Sequence, residues 1–249
     1  MVLGLIKITN DTSDLNGSLL EMKDQLIYEL GEQGVTASYD SSTGLLGLIH
    51  KIADIQTETI LFEDDCSTDK TTDYGSSITL RESGTSTIAY NSNGYYTITN
   101  NVNFAESFIP ITPLTGLTDN FILEYDSYVE GNGSNGGSSG LVIYNTSTSW
   151  AKLTDDANND KRAWYGYNNG SFHELSFYLS QSSNQKWIHY TYIVKDNSFL
   201  IIINDNDTVI GIYSTKIQVT RNNTTKIGLD SEWFENTVTR YKNIKVKAL

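Results

Sequence analysis

The chain has 249 residues and carries 30 acidic against 17 basic side chains, a net charge of -13. That length is enough to bury one large core plus a small accessory piece. The excess negative charge disfavours nucleic acid and anionic membrane surfaces as partners, and a single cysteine, Cys66, excludes an intramolecular disulfide.

Residues 1–57 predict a small helical segment. A capping-box sequence at 18–21 and apolar residues at three- and four-residue spacing predict a first helix, which ends at Gly31 and Gly34. Apolar residues from Leu45 to Ile55 predict a second helix. A segment this short cannot easily bury its apolar faces alone. We expect it to self-associate or to dock on a larger assembly; the alternative is that it packs on the domain that follows.

From Ile60 onward the pattern changes to strands, and residues 58–249 predict one β domain. Runs of about six to ten residues alternate apolar and polar side chains and are separated by turn signals such as Asn93-Gly94 and Asn169-Gly170. The expected fold is mainly β, a two-sheet antiparallel jelly-roll sandwich. Beyond a first strand near 60–66, the predicted strands are 86–90, 95–99, 120–130, 140–144, 161–167, 172–179, 187–194, 199–203, 208–213, 226–229 and 241–247, the last in strict alternation.

The order of these strands resembles the concanavalin-like lectin and glucanase jelly rolls, a family that includes laminin-G-like modules. The resemblance covers about residues 60–249. It rests on the Trp187 strand and its hairpin, the Ile227-Gly228-Leu229 strand and the closing Tyr241–Lys247 strand. Leu61–Cys66 resembles the opening of such domains, which implies that the first strand pairs beside the last. The family contains both binding modules and enzymes, so the resemblance is more specific for fold than for activity.

The helical segment resembles a short module common in tail proteins of tailed viruses. The matching residues are Leu26–Ser38 and Gly44–Ile55, and the match consists mainly of aliphatic spacing. The resemblance implies attachment to virion subunits and a homo-oligomer, with a trimer expected for a fibre.

The strand 121–130 places an acidic face opposite an apolar one. Period two puts Glu124, Asp126, Tyr128 and Glu130 on the same side. The resemblance to jelly-roll glucanases implies a nucleophile and a general acid on such a strand. The spacing from Asp126 to Glu130 is one residue too long for that pattern, and a β-bulge would be needed to restore it. We therefore expect a solvated or ligand-facing acidic strand and no catalytic residues.

Aromatic side chains form a second candidate constellation. Sugars stack their apolar faces on Trp and Tyr while amide and carboxylate groups bind their hydroxyls. Trp164 and Tyr165 must face opposite sides of one strand, so only one of them can line the concave sheet, and the other, with Trp150, is expected in the core. The candidate carbohydrate-binding residues are Glu124, Asp126, Tyr128, Tyr144, Trp150, Trp164, Tyr165, Tyr167 and His173.

No cofactor is expected from the remaining motifs. Residues 155–160 hold enough oxygen ligands for calcium but lack the EF-hand order, and a polar turn is the simpler interpretation. The three histidines lack zinc-ligand spacing. Sixteen Tyr against eight Phe, with many Asn, Ser, Thr and Gly, predict a surface rich in hydroxyl and amide groups.

These observations favour a non-catalytic carbohydrate-binding module that acts in adhesion. The expected setting is a viral tail or fibre, in which the module binds a cell-surface glycan as the receptor-binding component. Two alternatives stay open: a glycoside hydrolase that uses Glu124 and Asp126, and a purely structural virion or surface protein. The N-terminal residues show no Sec signal and no stretch reaches the roughly 18 apolar residues of a membrane span. The expected location is a virion or an extracellular surface, without membrane insertion.

Overall fold

The computed structural model describes Ile27 and residues 59–81, 84–100, 106–130, 137–156, 162–183, 185–231 and 237–249. Ile27 is α-helical, and the remainder of the predicted helical segment lies outside the described residues. Within the described residues, no helix is both long and apolar enough to cross a membrane.

The described residues form fifteen strands and two short 3-10 helices, at Thr71–Asp73 and Thr112–Leu114. The mainly β prediction is therefore confirmed. The strands are β1 Ile60–Asp64, β2 Ile78–Arg81, β3 Ser86–Asn91, β4 Tyr95–Asn100, β5 Glu106–Pro110, β6 Phe121–Glu130, β7 Ser138–Thr146, β8 Ser149–Asp156, β9 Arg162–Asn169, β10 Phe172–Tyr178, β11 Trp187–Lys195, β12 Ser198–Asp205, β13 Thr208–Lys216, β14 Lys226–Ser231 and β15 Val238–Ala248.

These strands form two antiparallel sheets that pack as a sandwich. Sheet I has the order β13-β12-β11-β6-β15-β4-β3, and β1 also pairs with β15. Sheet II has the order β10-β9-β8-β7-β14-β5-β2. The first strand pairs beside the last, as the resemblance implied.

Three strands that the sequence did not predict complete sheet II: β2, β5 and β8. Their side chains lack the half-buried alternation that marks the other strands. All five residues of β5 are buried, β2 has only four residues, and β8 buries a lysine, Lys152, on the face where alternation predicts a solvated side chain. Burial on both faces removed the period-two signal from β5 and β8, and β2 is too short to show one.

The closing strand departs from the predicted strict alternation. The pairing of β15 with β6 shifts between Lys242 and Lys245, because β15 carries an extra residue there. Asn243 has a φ of 53° at this bulge, a left-handed conformation that asparagine tolerates better than most residues. The strand predicted at 140–144 also begins earlier than expected, since β7 starts at Ser138.

The interior contains many tyrosines, which corrects the prediction that the hydroxyl-bearing residues lie mainly on the surface. The fully buried tyrosines are Tyr96, Tyr125, Tyr165, Tyr190, Tyr192 and Tyr241. Tyr hydroxyls need a partner when buried, and those of three tyrosines of sheet I donate to groups of sheet II. Tyr190 donates to Asp155 at 2.7 Å, Tyr192 to the Leu153 carbonyl at 3.1 Å and Tyr241 to the Asp230 carbonyl at 2.5 Å. The two sheets are therefore joined by directional hydrogen bonds as well as by apolar contact.

Candidate functional site

Three aromatic rings converge on the outer face of sheet I. Tyr95 begins β4, Tyr128 lies on β6 and Trp187 begins β11; the last two are direct cross-strand partners. The Trp187 ring centroid lies 5.7 Å from that of Tyr128 and 6.1 Å from that of Tyr95. All three side chains are half-buried, so each keeps part of its ring in solvent. We call these three residues the aromatic cluster.

Two cations from β15 lie against these rings. The Arg240 guanidinium is 4.8 Å from the Tyr128 ring centroid and 5.7 Å from that of Tyr95. The Lys242 ammonium is 4.1 Å from the Trp187 ring centroid. Arg240 also pairs with Glu130 at 2.6 Å. These contacts fix the rotamers of the aromatic cluster through the attraction of a cation to the ring quadrupole.

Asp126 lies beside the aromatic cluster and is held by two donors. His189 Nδ1 lies 2.8 Å from one carboxylate oxygen, and Asn243 Nδ2 donates to the other at 2.7 Å. Burial alone would raise the pKa of Asp126, but the hydrogen bonds from His189 and Asn243 and the nearby charges outweigh it, and the pKa lies below the ordinary 3.8. Asp126 is therefore an ionised acceptor at neutral pH, and the His189 Nδ1 carries the proton that it donates.

The acidic face of β6 matches a basic face of β15. Glu124 pairs with Lys247 at 3.0 Å, Glu130 pairs with Arg240, and the bulge lies on β15. The bulge in β6 that a glucanase pattern requires before Glu130 is absent, because β6 pairs residue for residue with β15 from Asp126 to Glu130. A glycosidase acid also needs a raised pKa, whereas that of Asp126 is lowered. The arrangement gives Asp126 the role of a hydrogen-bond acceptor.

Tyr144 and Trp150 lie elsewhere, on the outer face of sheet II. Trp150 is fully buried and its ring centroid is 5.9 Å from that of Phe172. Tyr144 is half-buried, with its ring centroid 5.5 Å from that of Phe108. The buried ring of Trp150 presents no face to solvent, so a sugar cannot stack on it in this structure.

A buried ion network adjoins these rings. Lys152 Nζ lies 3.6 Å from a Glu106 carboxylate oxygen and 3.9 Å from one of Asp230, and all three side chains are fully buried. Arg81 also pairs with Glu106. The hydroxyls of Ser138 and Thr154 donate to Asp230. Burial raises the pKa of Asp230 despite these contacts.

The other predicted aromatic residues lie on β9 and β10. Tyr165 is 1% exposed, stacks on Tyr167 with a centroid distance of 5.5 Å and belongs to the core. Tyr167 in turn stacks on His173 at 4.8 Å, at the edge of sheet II. Of Trp164 the structure describes only the backbone, in β9. Tyr165 joins the core because its strand position faces sheet I, and its hydroxyl accepts from the Gln218 amide at 3.1 Å.

The structure thus distributes the nine predicted residues over three places and brings Glu124, Asp126 and Tyr128 together. Sequence reasoning missed the residues that surround them. These are Tyr95, Trp187, His189, Arg240, Lys242 and Asn243. A signal for part of this set was present, because the basic residues at 240 and 242 alternate along β15 and complement the acidic face of β6. The bulge brings the basic residues at 245 and 247 to the same face, and alternation alone places them on the opposite one.

The described residues hold no group of three or more His, Cys, Asp or Glu side chains that could bind a metal. Of the calcium candidate at 155–160, Asp155 is buried and accepts a hydrogen bond from Tyr190. The side chain of Asp156 and residues 157–160 lie outside the description.

Comparison with known proteins places the fold among lectin-like sandwiches. No protein-family model and no curated protein sequence matches the chain. A carbohydrate-binding module CBM66 from Bacillus subtilis matches with a TM-score of 0.50 and 15% identity, over 70% of this chain and 96% of that one. A legume lectin-like domain from Entamoeba histolytica matches with a TM-score of 0.54 and 10% identity, over 76% and 97%.

A protein of unknown function with a galectin-like fold, also from Bacillus subtilis, matches with a TM-score of 0.53 and 12% identity, over 76% of this chain and 96% of that one. Together these structures show that the sandwich has the concanavalin-like fold. At these identities the likeness concerns the fold alone.

Proposed function

We propose that this protein is a non-catalytic carbohydrate-binding module whose site is the aromatic cluster of sheet I with its polar neighbours. The observation that supports the site is the convergence of Tyr95, Tyr128 and Trp187 in half-exposed positions beside Asp126 and Asn243. The lectin-like fold and the carbohydrate-binding proteins that share it support the class of ligand.

The chemistry of the site suits a sugar. The apolar face of a pyranose ring packs against an aromatic ring, while its hydroxyls need donors and acceptors within 3 Å or so. Asp126 and Glu130 supply acceptors, and the Asn243 amide and the Arg240 guanidinium supply donors. Because cations and hydrogen bonds already hold these side chains, binding costs little additional side-chain entropy.

A glycan array probed with the full chain, followed by calorimetry on the best ligand, tests the proposal. We expect Trp187→Ala and Tyr128→Ala each to weaken binding at least about tenfold, as for anchor residues elsewhere. Tyr144→Ala is the matched control, because Tyr144 is a half-buried tyrosine on the outer face of sheet II. Loss of binding in Tyr144→Ala with retention in Trp187→Ala would reject this site, and the absence of any glycan ligand would reject the function.

We further propose that the module recognises a host glycan as part of a viral tail or fibre, at a virion or extracellular surface. The support for this setting is the similarity of Leu26–Ser38 and Gly44–Ile55 to helical modules of tail proteins. Antibody raised against the chain should label the tails of particles from the source culture in immunoelectron microscopy. Label confined to cells or medium would reject the viral setting and leave carbohydrate binding untouched.

A further inference from the structure

The edge strand β10 exposes apolar side chains that an isolated sandwich has no reason to expose. Among the described residues three large hydrophobic side chains are exposed, and two of them lie on β10: Leu175 at 50% and Tyr178 at 69%. β10 is the last strand of sheet II, and among the described strands it pairs with β9 alone. Alternate residues of β10 therefore direct their N–H and C=O groups away from the sheet.

The other sheet edges in the described residues carry features that oppose pairing. The outer strands β2 and β13 each have an irregular register with their neighbour, and they carry Arg81 and Lys216. β3 exposes no large apolar side chain, and β1, which holds the third exposed residue, Ile60, is irregular in register. β10 pairs with β9 over all seven residues without a shift, and it contains no Pro, Lys or Arg. Natural proteins use irregularities, Pro and Lys to block edge pairing.

We propose that β10 is a self-association surface, at which two copies of this chain pair β10 with β10 in antiparallel fashion about a two-fold axis at Leu175. The sequence of β10 is complementary to itself in this register. The opposed pairs are Leu175 with the partner copy's Leu175, Glu174 with Ser176, His173 with Phe177 and Phe172 with Tyr178. The two exposed leucines meet at the axis, and each exposed tyrosine meets a phenylalanine.

The alternative registers are less favourable. A two-fold axis perpendicular to the sheet keeps the inner faces of both copies on one side. In that geometry one residue of β10 must lie directly opposite the same residue of the partner copy, and the axis runs between these two residues. An axis at Glu174 would place two carboxylates directly opposite each other, which is destabilising. An axis at Ser176 would leave Phe172 and His173 beyond the partner strand, opposite residues that follow β10. The register centred on Leu175 pairs all seven residues.

The pairing would join the two copies of sheet II into one continuous sheet. An isologous contact of this kind closes at two subunits. Each dimer would present two outer faces of sheet I, so a surface that displays many glycans would be bound with avidity. The dimer itself rests on the geometry of β10 and not on the proposed carbohydrate binding.

Sedimentation of the full chain over a range of concentrations tests the pairing. We expect the wild type to form a dimer and Leu175→Lys to be monomeric, because two ammonium groups would meet at the axis. Thr208→Lys is the matched control, since Thr208 is an exposed residue on β13, an edge strand of sheet I, and it should leave the dimer intact. A wild type that stays monomeric, or a mass unchanged by Leu175→Lys, would overturn the proposal.

A crosslinking experiment fixes the register. Cys66 is buried, so Leu175→Cys introduces one accessible thiol. The two-fold axis would place this thiol beside the same thiol of the second copy. Mild oxidation should convert Leu175→Cys to a disulfide-linked dimer, and Thr208→Cys should stay unlinked. Equal crosslinking of both variants, or none at position 175, would reject the axis at Leu175. Glycan binding by Leu175→Lys measured in parallel separates failure of the dimer from failure of the carbohydrate site.

Discussion

The outer faces of the two sheets both combine charges with aromatic rings, but they bury them to different extents. On sheet I the paired side chains of Arg240 and Glu130 remain 29% and 48% exposed. On sheet II the side chains of Glu106, Lys152 and Asp230 are completely buried. Partly exposed pairs cost little to form and are worth little, whereas burial commits charges to one arrangement. A ligand on the first face would therefore disturb only weak pairs, whereas the charges on the second face help to hold the fold together.

The largest effect is expected from removing the buried cation. Lys152→Met removes the ammonium group that pairs with both buried carboxylates, those of Glu106 and Asp230. Breaking such a network costs about 3–5 kcal/mol of unfolding free energy. The comparison variant is Lys245→Met on sheet I, where a pair with Glu63 at 3.9 Å is 28% and 57% exposed, and where about 0–1 kcal/mol is expected. Urea denaturation measures both. Equal losses in the two variants would contradict the distinction between the faces.

One tryptophan from each sheet, Trp150 and Trp187, extends the same comparison to binding. Trp150→Ala removes a fully buried ring from sheet II and should cost about 3–5 kcal/mol of stability, because a large cavity is left. Trp187→Ala removes a half-buried ring and should cost less stability while it abolishes most of the glycan affinity. Denaturation and calorimetry on both variants give four values. A Trp187→Ala variant as unstable as Trp150→Ala would mean that this ring is a core residue and not a binding platform.

The same contrast explains how much the sequence could predict. Half-buried strands show an alternating pattern, which is why β6, β11 and β12 were predicted from their residues. The pairing of β1 with β15 was implied by the resemblance of Leu61–Cys66 to the opening of concanavalin-like domains. β5 and β8 were missed because burial on both faces hides that period, and nothing in a single sequence marks Lys152 as buried. The two ion-pair partners of Lys152 are distant in the sequence: Glu106 is more than forty residues away and Asp230 more than seventy.

The candidate site was predicted in part for a related reason. Alternation placed Glu124, Asp126 and Tyr128 on one face, but it could not say which strands flank β6. Only the sheet order brings Trp187 of β11 and Arg240 of β15 beside Tyr128. Conversely, Tyr165 and Trp150 looked suitable by residue type, and burial removes them from the site. Composition also misled, because tyrosine here serves as a cross-sheet hydrogen-bond donor in the core.

A smaller effect separates the two faces by pH. Asp126 has a lowered pKa, so it stabilises the fold above pH 3.8 and that contribution is lost as the pH falls through the folded value. Asp230 has a raised pKa, so its contribution is greatest below 3.8 and is lost as the pH rises from there through its folded value. Each changes stability by at most about 1.4 kcal/mol per pH unit.

Urea unfolding of Asp126→Asn and Asp230→Asn at a series of pH values on either side of 3.8 measures these slopes. Asp126→Asn should flatten the fall in stability on the acid side, and Asp230→Asn should remove a loss that accompanies rising pH. Changes of the same sign in both variants would show that one of the two pKa directions is wrong.

The smallest effect concerns the contact between Lys242 and Trp187. Lys242→Met keeps an unbranched side chain against the ring and removes only the charge, so we expect a loss of about 0.5–1 kcal/mol at this half-exposed site. A double-mutant cycle with Trp187→Leu isolates the pairwise energy from the separate effects of each substitution. A coupling energy near that value means that the ammonium holds the indole in place before ligand arrives. A coupling energy of zero would mean that the ring is oriented by Tyr95 and Tyr128 alone, and then Lys242→Met should leave glycan affinity unchanged.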